Sequence, residues 1–187
     1  MDQDVEEVLL SLAEQAGLPA FSVRDMVAVQ RALHPRASLL YWAVVDFSLP
    51  SSEERLFVFD TLECGVQRFL VAHGAGRERN ANLAMASDFS NDPASNASCL
   101  GVCRAAEMFD GPEGVSLRLD GLQPGNANMR ARNLVMHGAA FASRTFLNDN
   151  GILGRSDGSL AVDPQFARGL INMLHGGSYL HCIAKRA

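Results

Sequence analysis

From Val5 to Pro35 the apolar positions recur at helical spacing. Val5, Val8, Leu9, Leu12, Ala13 and Ala16 share one face, and Gly17 followed by Pro19 makes a stop. Val23, Met26, Val27, Gln30 and Leu33 continue a second face, with Ser22 as the expected N-cap and Asp25 three residues on. From Leu39 the period shortens. Residues 39–47, 55–60, 66–73, 100–109 and 115–119 are rich in Val, Leu and Phe with partial alternation, which predicts β-strands. A shorter strand is expected at 133–136 and a last one at 179–184 after Gly176-Gly177, with helices at about 142–148 and 164–174. Many short strands, few helices and no βαβ rhythm predict a mainly β, largely antiparallel fold with peripheral helices, of α+β class. Residues 1–38 read as an N-terminal helical segment packing on the core and residues 39–187 as the main domain.

The polar stretches change this picture at one place. The run from Gly74 to Ser98 is longer than packing needs, which marks it as mobile or functional. The chain of 187 residues, 48% hydrophobic and 20% charged, is long enough for a substantial core. Its net charge of −5 and the lack of a basic run argue against a nucleic-acid partner. No apolar stretch is long enough to span a bilayer. The acidic, polar start Met1-Asp2-Gln3-Asp4 does not read as a signal peptide.

Several chemistries are disfavoured. Fifteen arginines stand against one lysine, Lys185, so a Ser-Lys dyad or a Schiff base has a single poor candidate. Cys64, Cys99, Cys103 and Cys182 form no C-x-x-C, and most are expected to be buried thiols. On an extended strand Cys99 and Cys103 would lie about 13 Å apart, too far to bridge. No ligand set for a metal and no phosphate-cradling glycine loop is visible, so no cofactor is expected. His175 and His181 read as surface or sheet residues, Arg118 and Asp120 as an ion pair along one strand, and Glu53-Glu54 as loop charges.

What remains is Val135-Met136-His137-Gly138 and, downstream, Gly154-Arg155-Ser156-Asp157-Gly158-Ser159 leading into the apolar Leu160-Ala161-Val162. A histidine, a glycine-flanked turn and a small hydroxyl side chain are the ingredients of acyl transfer. The Gly-x-Ser-x-Gly elbow is absent, because Gly158-Ser159-Leu160-Ala161 lacks the second glycine. On residues alone, His137 is equally a structural histidine and Asp157 a solvated loop residue.

The motifs Val45-Asp46-Phe47-Ser48-Leu49-Pro50-Ser51-Ser52, Arg55-Leu56-Phe57-Val58, Val71-Ala72-His73-Gly74, Ser116 to Leu122, His137-Gly138-Ala139 and Gly154-Arg155-Ser156-x-Gly158 occur in one order. Together, over about residues 40–184, they resemble the murein L,D-transpeptidase catalytic-domain family. The resemblance implies an L,D-transpeptidase-like β-sandwich with an N-terminal helical appendage, periplasmic or exported, acting on peptidoglycan stem peptides. It maps the base onto His137, the nucleophile onto Ser159 and an oxyanion hole onto the amides of Gly158 and Ser159. Arg155, Ser156 and Asp157 flank the site as substrate contacts or turn supports, and His73 is placed to line the cleft. The more familiar branch of the family has an arginine after the nucleophile; here Leu160-Ala161 follows and Arg155 precedes.

The nucleophile position is where the chain departs from the family, which uses cysteine. A thiol ionises near neutral pH beside an imidazole, whereas an alcohol must lose its proton during attack. Three readings of Ser159 follow: an engineered Cys-to-Ser change that silences an L,D-transpeptidase or L,D-carboxypeptidase, a natural inactive relative that binds peptidoglycan, or a serine acyltransferase or hydrolase with His137 as base.

Overall fold

The computed structural model describes residues 4–37, 39–77 and 83–184. Lys185, Met1 to Gln3, Ser38 at the expected segment boundary and positions 78–82 of the long loop lie outside the described residues. The first helix, α1 (Val5–Ala16), starts where the Asp4 side chain accepts the Glu6 N–H and stops at Gly17. The second, α2 (Phe21–Leu33), begins earlier than the expected Ser22 cap. Ser22 and Val23 donate their N–H groups to Pro19 and Ala20, so the first turn is already wound before Ser22. Ser22 is instead buried inside the helix, where its carbonyl accepts the Nδ1–H of His181 at 2.9 Å.

Among the described residues nine strands follow the change of period: β1 (Tyr41–Asp46), β2 (Leu56–Asp60), β3 (Gly65–Phe69), β4 (Val71–Ala72), β5 (Gly101–Gly111), β6 (Gly114–Gly121), β7 (Val135–Gly138), β8 (Leu160–Val162) and β9 (Tyr179–Ile183). They form one sheet in the order β3-β2-β1-β9-β5-β6-β7-β8-β4. Only β1·β9 and β7·β8 are parallel, so the sheet is mainly antiparallel as expected. The single strand expected at 66–73 is divided at Leu70: β3 pairs with β2, and β4 pairs with β8 at the opposite edge. One residue therefore joins the two ends of the sheet, which must curl to bring them together. The sandwich expected from the family resemblance is this curled sheet.

Two cores explain why β1 and β2 read as unbroken apolar runs: both of their faces are covered. Ala43, Val45, Leu56 and Val58 face an interior shared with Met136, Leu160 and Val162 from the far side of the sheet. Helix α4 (Pro164–Leu174) plugs that interior with Leu170, Ile171 and Leu174, started by an Asp163 cap with proline in its first turn. Trp42, Val44, Phe57 and Phe59 face the other way, onto Leu9, Leu12, Val23, Met26 and Val27 of the N-terminal helices. Burial on this scale contributes about 25 cal/mol per Å² of apolar surface. A 3₁₀ turn (Ala140–Ala142) and the short helix α3 (Arg144–Asn150, capped by Ser143) stand near the helix expected at 142–148.

The ion-pair expectation needs correction. Arg118 and Asp120 share a face of β6 but do not pair. Arg130 takes Asp120 and also Glu107, while Arg118 bonds Asn133 and stacks 4.2 Å over Phe109. Charges arriving from other segments reach these groups better than a neighbour two residues along one strand. Three of the four cysteines are buried free thiols and Cys64 is an exposed one.

Candidate active site

Strands β7 and β8 run parallel with Met136 opposite Leu160 and His137 opposite Ala161. Met136 and Leu160 point into the interior, so the alternate residues Val135, His137 and Ser159 belong to the other face. Continuing the register puts Val135 beside Ser159, and the contact is made: the Val135 N–H donates to Ser159 Oγ at 3.2 Å. His137 stands two residues further along, its Nδ1 3.2 Å from the carbonyl of Gly138. A carbonyl only accepts, so in the neutral ring Nδ1 carries the proton and Nε2 the lone pair. That is the tautomer a general base needs.

The turn before Ser159 is held by polar bonds. Ser156 bridges to Gly74: its N–H donates to the His73 carbonyl at 3.0 Å, and its own carbonyl accepts from Ala75 at 2.8 Å. Its hydroxyl donates to the Ser159 carbonyl at 2.6 Å and accepts the Gly158 N–H at 3.2 Å. Gly158 has φ +106°, and a Cβ there would sit 2.7 Å from the Ala97 carbonyl oxygen and 2.9 Å from Leu134 Cδ2. Only glycine fits. Ser98 closes the back, its Oγ accepting the Gly74 N–H at 2.9 Å and donating to the Gly158 carbonyl at 3.1 Å. The expected pair of oxyanion donors is altered here, because the Gly158 N–H is engaged within the turn.

A cleft of about 370 Å³ opens over this turn, lined by His137, Ser159, Arg155, Ser156 and Asp157. Five of the seven sequence-derived site residues therefore line one space, and the sixth, Gly158, lies buried directly beneath it. Arg155 donates to the Ala75 carbonyl at 3.2 Å, which fixes it beside the turn, and Asp157 is exposed at the rim. Sequence reading missed Arg132, Asn133, Phe109, Glu113 and Phe141 on the same walls. They come from three separate segments, and no spacing links them to the His137 or Ser159 motifs.

His73 is not among the lining residues. It is 3% exposed, with Nδ1 accepting from Arg55 Nη2 at 2.8 Å and its ring edge-on to Phe47. Burial, then Arg55 and Arg155, bring its pKa down to about 4, although a hydrogen bond to the Met85 backbone works the other way. The partner Arg55 is fully buried and also donates to the carbonyls of Val71 and Leu49. Burial lowers its pKa to about 10, against the pull of Asp46. His73 thus supports the turn from behind, through the backbone bond of its carbonyl to Ser156. Among the described residues no group of three or more His, Cys, Asp or Glu is placed to hold a metal ion, and no helix is long and apolar enough to cross a membrane.

A curled mixed sheet carries a histidine on β7 and a hydroxyl just ahead of the parallel strand β8, over a turn that only glycine fits, and this defines a sheet-dominated domain with a cleft at the β7–β8 end. Residues 20–183 match the L,D-transpeptidase catalytic domain, and the chain belongs to that family. The match begins ahead of α2, so it includes part of the helical segment. Among solved structures the chain is similar to an L,D-transpeptidase from Mycobacterium smegmatis, at 12% identity over 78% of this chain and 59% of that one, with a TM-score of 0.46. It is similar also to the L,D-transpeptidase from Xylanimonas cellulosilytica (13% identity, 93% and 78% covered, TM-score 0.42). A third is the helical cell shape determining protein Pgp2 from Campylobacter jejuni (8% identity, 79% and 49% covered, TM-score 0.47). The chain spans about 59% of the length of the first of these. No curated protein sequence matches it.

Proposed function

We propose that this chain binds peptidoglycan stem peptides in the His137–Ser159 cleft, with residue 159 as the acyl-bearing position of an L,D-transpeptidase or L,D-carboxypeptidase cycle. Membership of the family supports a peptidoglycan-directed chemistry. The observation that carries the reading is the placement of His137 on β7 and Ser159 at the entry to the parallel strand β8, both opening into one cleft. In the cycle, the heteroatom of residue 159 attacks the carbonyl carbon of the third stem residue. The bond to the terminal D-alanine nitrogen breaks, and His137 Nε2 passes the nucleophile's proton to that nitrogen. A second stem amine or water then attacks the acyl carbon and releases residue 159 with its proton restored. The Ser159 N–H is the backbone donor assigned to the oxyanion, and Arg155 and Asp157 are assigned to substrate charges at the cleft wall. The setting is periplasmic or exported.

Serine slows this cycle severely. The Val135 N–H that points at the side chain of residue 159 would stabilise a thiolate. A hydroxyl gains only an ordinary hydrogen bond and stays protonated until attack. The chain as written is expected to bind stems and to release D-alanine slower than its Ser159→Cys variant by on the order of 10³-fold or more. Rates of D-alanine release from a tetrapeptide stem by the two proteins test this, and equal rates overturn it. The base-competent tautomer of His137 favours a second reading, a serine acyltransferase. Rapid turnover by the unmodified chain, lost in His137→Gln, selects that reading.

A further inference from the structure

The stretch Ser90–Ala97 has little backbone pairing of its own beyond the Phe89–Ser98 bridge, yet it forms the wall against Gly158. Arg77 and Asn91 tie its outer end, and Arg132 gathers its carbonyls on the side of Gly158. Arg132 Nη1 donates to the Ser90 carbonyl and lies 3.0 Å from Cys99 Sγ. Its Nη2 donates to the carbonyls of Ser95 at 2.8 Å and Ala97 at 2.7 Å, and to Ser95 Oγ at 3.2 Å. The Ala97 oxygen that Arg132 fixes is the atom nearest to the missing Cβ of Gly158.

The backbone that carries Arg132 grips the turn from the other side. Asn133 adopts φ +54°, a left-handed conformation that asparagine tolerates, and turns the chain into β7. Leu134 then packs on Gly158, and the Val135 N–H reaches Ser159 Oγ. Gly158 is therefore clamped between Leu134 and Ala97, with Arg132 joining both jaws. Its planar fork reaches three separate carbonyls, which a single ammonium cannot do in the same geometry.

We infer that Arg132 is a positioning residue for the nucleophile turn: it locks the 90–97 loop against Gly158 and so sets where the residue 159 side chain stands. The inference about turn rigidity is independent of the proposed function, whereas its kinetic consequence rests on residue 159 being the acyl-bearing position.

The test uses the full chain and its Arg132→Met and Arg132→Lys variants. Amide hydrogen exchange at Gly158 and Ser159 is expected to quicken by about tenfold or more in Arg132→Met, while Leu180 and Cys182 in β9 keep their protection. Unchanged exchange at Gly158 in a folded Arg132→Met protein overturns the inference; if that variant does not fold, Arg132→Lys decides by the same readout. In the Ser159→Cys form, Arg132→Lys should lower kcat for D-alanine release by on the order of 10²-fold and leave KM within about threefold. Asn91→Ala provides the control, since Asn91 ties the same loop to Pro124 and Asn128 without touching the turn, and it should leave kcat unchanged. An effect on KM alone, or an equal loss in Asn91→Ala, contradicts positioning. Absence of turnover in Ser159→Cys itself would count against the proposed function, and the exchange result would still decide the role of Arg132.

Discussion

The two ends of this molecule are held together by different forces. At the back, the helices α1 and α2 lie on β1, β2 and β9 mainly through apolar contact, with Leu12, Met26, Trp42, Phe57 and Phe59 buried between them and few polar ties such as His181 to the Ser22 carbonyl. At the front, the turn from Gly154 to Ser159 has no regular ladder until β8, and serine hydroxyls, backbone carbonyls and two arginines fix it. Apolar burial is non-directional and tolerates small shifts. A polar network is satisfied only in one geometry, and a half-satisfied one is costly. The back should therefore govern whether the chain folds, and the front how well it performs.

The largest expected effect that separates the two lies at the back. Phe59→Ala removes a fully buried ring between helices and sheet and should cost about 3–5 kcal/mol in urea unfolding. Stem-peptide affinity per folded molecule should stay within about twofold; a collapse of affinity in folded protein would show that the regions are not separable. Acid should act next, through His73. Its ring is neutral when folded, with a pKa of about 4, whereas in the unfolded chain it takes a proton near the ordinary value of 6.5. The unfolded state therefore binds the proton first. Stability should fall as pH drops from about 6.5 to about 4, by on the order of 3 kcal/mol, and this loss should level off below pH 4. Urea midpoints for the chain and for His73→Gln across that range check the sign, and an identical slope in both contradicts it.

The smallest stability effect, with the larger functional one, belongs to Ser156. Removing its hydroxyl in Ser156→Ala leaves the Gly158 N–H and the Ser159 carbonyl without that partner, at a cost of about 1–2 kcal/mol. In the Ser159→Cys form the same change should slow D-alanine release by about tenfold or more. A stability loss with no change in rate would place Ser156 among ordinary structural residues.

The same contrast decides what could be read from the sequence. The back was legible because its forces leave a period: the apolar face from Val5 to Ala16 and the stop at Gly17 coincide with α1, and the ranges expected for β1 and β2 agree within two residues. The site motifs were legible because His137, Ser156, Gly158 and Ser159 are close along the chain or on neighbouring strands. The supports of the site were not. Arg132 binds carbonyls 35 to 42 residues away, and carbonyls have no sequence signature. Ser98 bonds Gly158 across 60 positions. His73 resembles a cleft residue in its motif, but its burial depends on Arg55 and Phe47 arriving from other strands. The break of the expected 66–73 strand at Leu70 was hidden for the same reason, since only the curl of the sheet assigns the two halves to different partners.

The central claim is that residue 159 carries the acyl group and that His137 serves it. Intact-protein mass after incubation with a tetrapeptide stem reads this directly. Ser159→Cys should gain the mass of an acyl-tripeptide at residue 159. The serine chain should gain none over the same period, and His137→Gln in the cysteine form should lose the adduct. No adduct in Ser159→Cys, or equal adducts with serine and cysteine, would contradict the account.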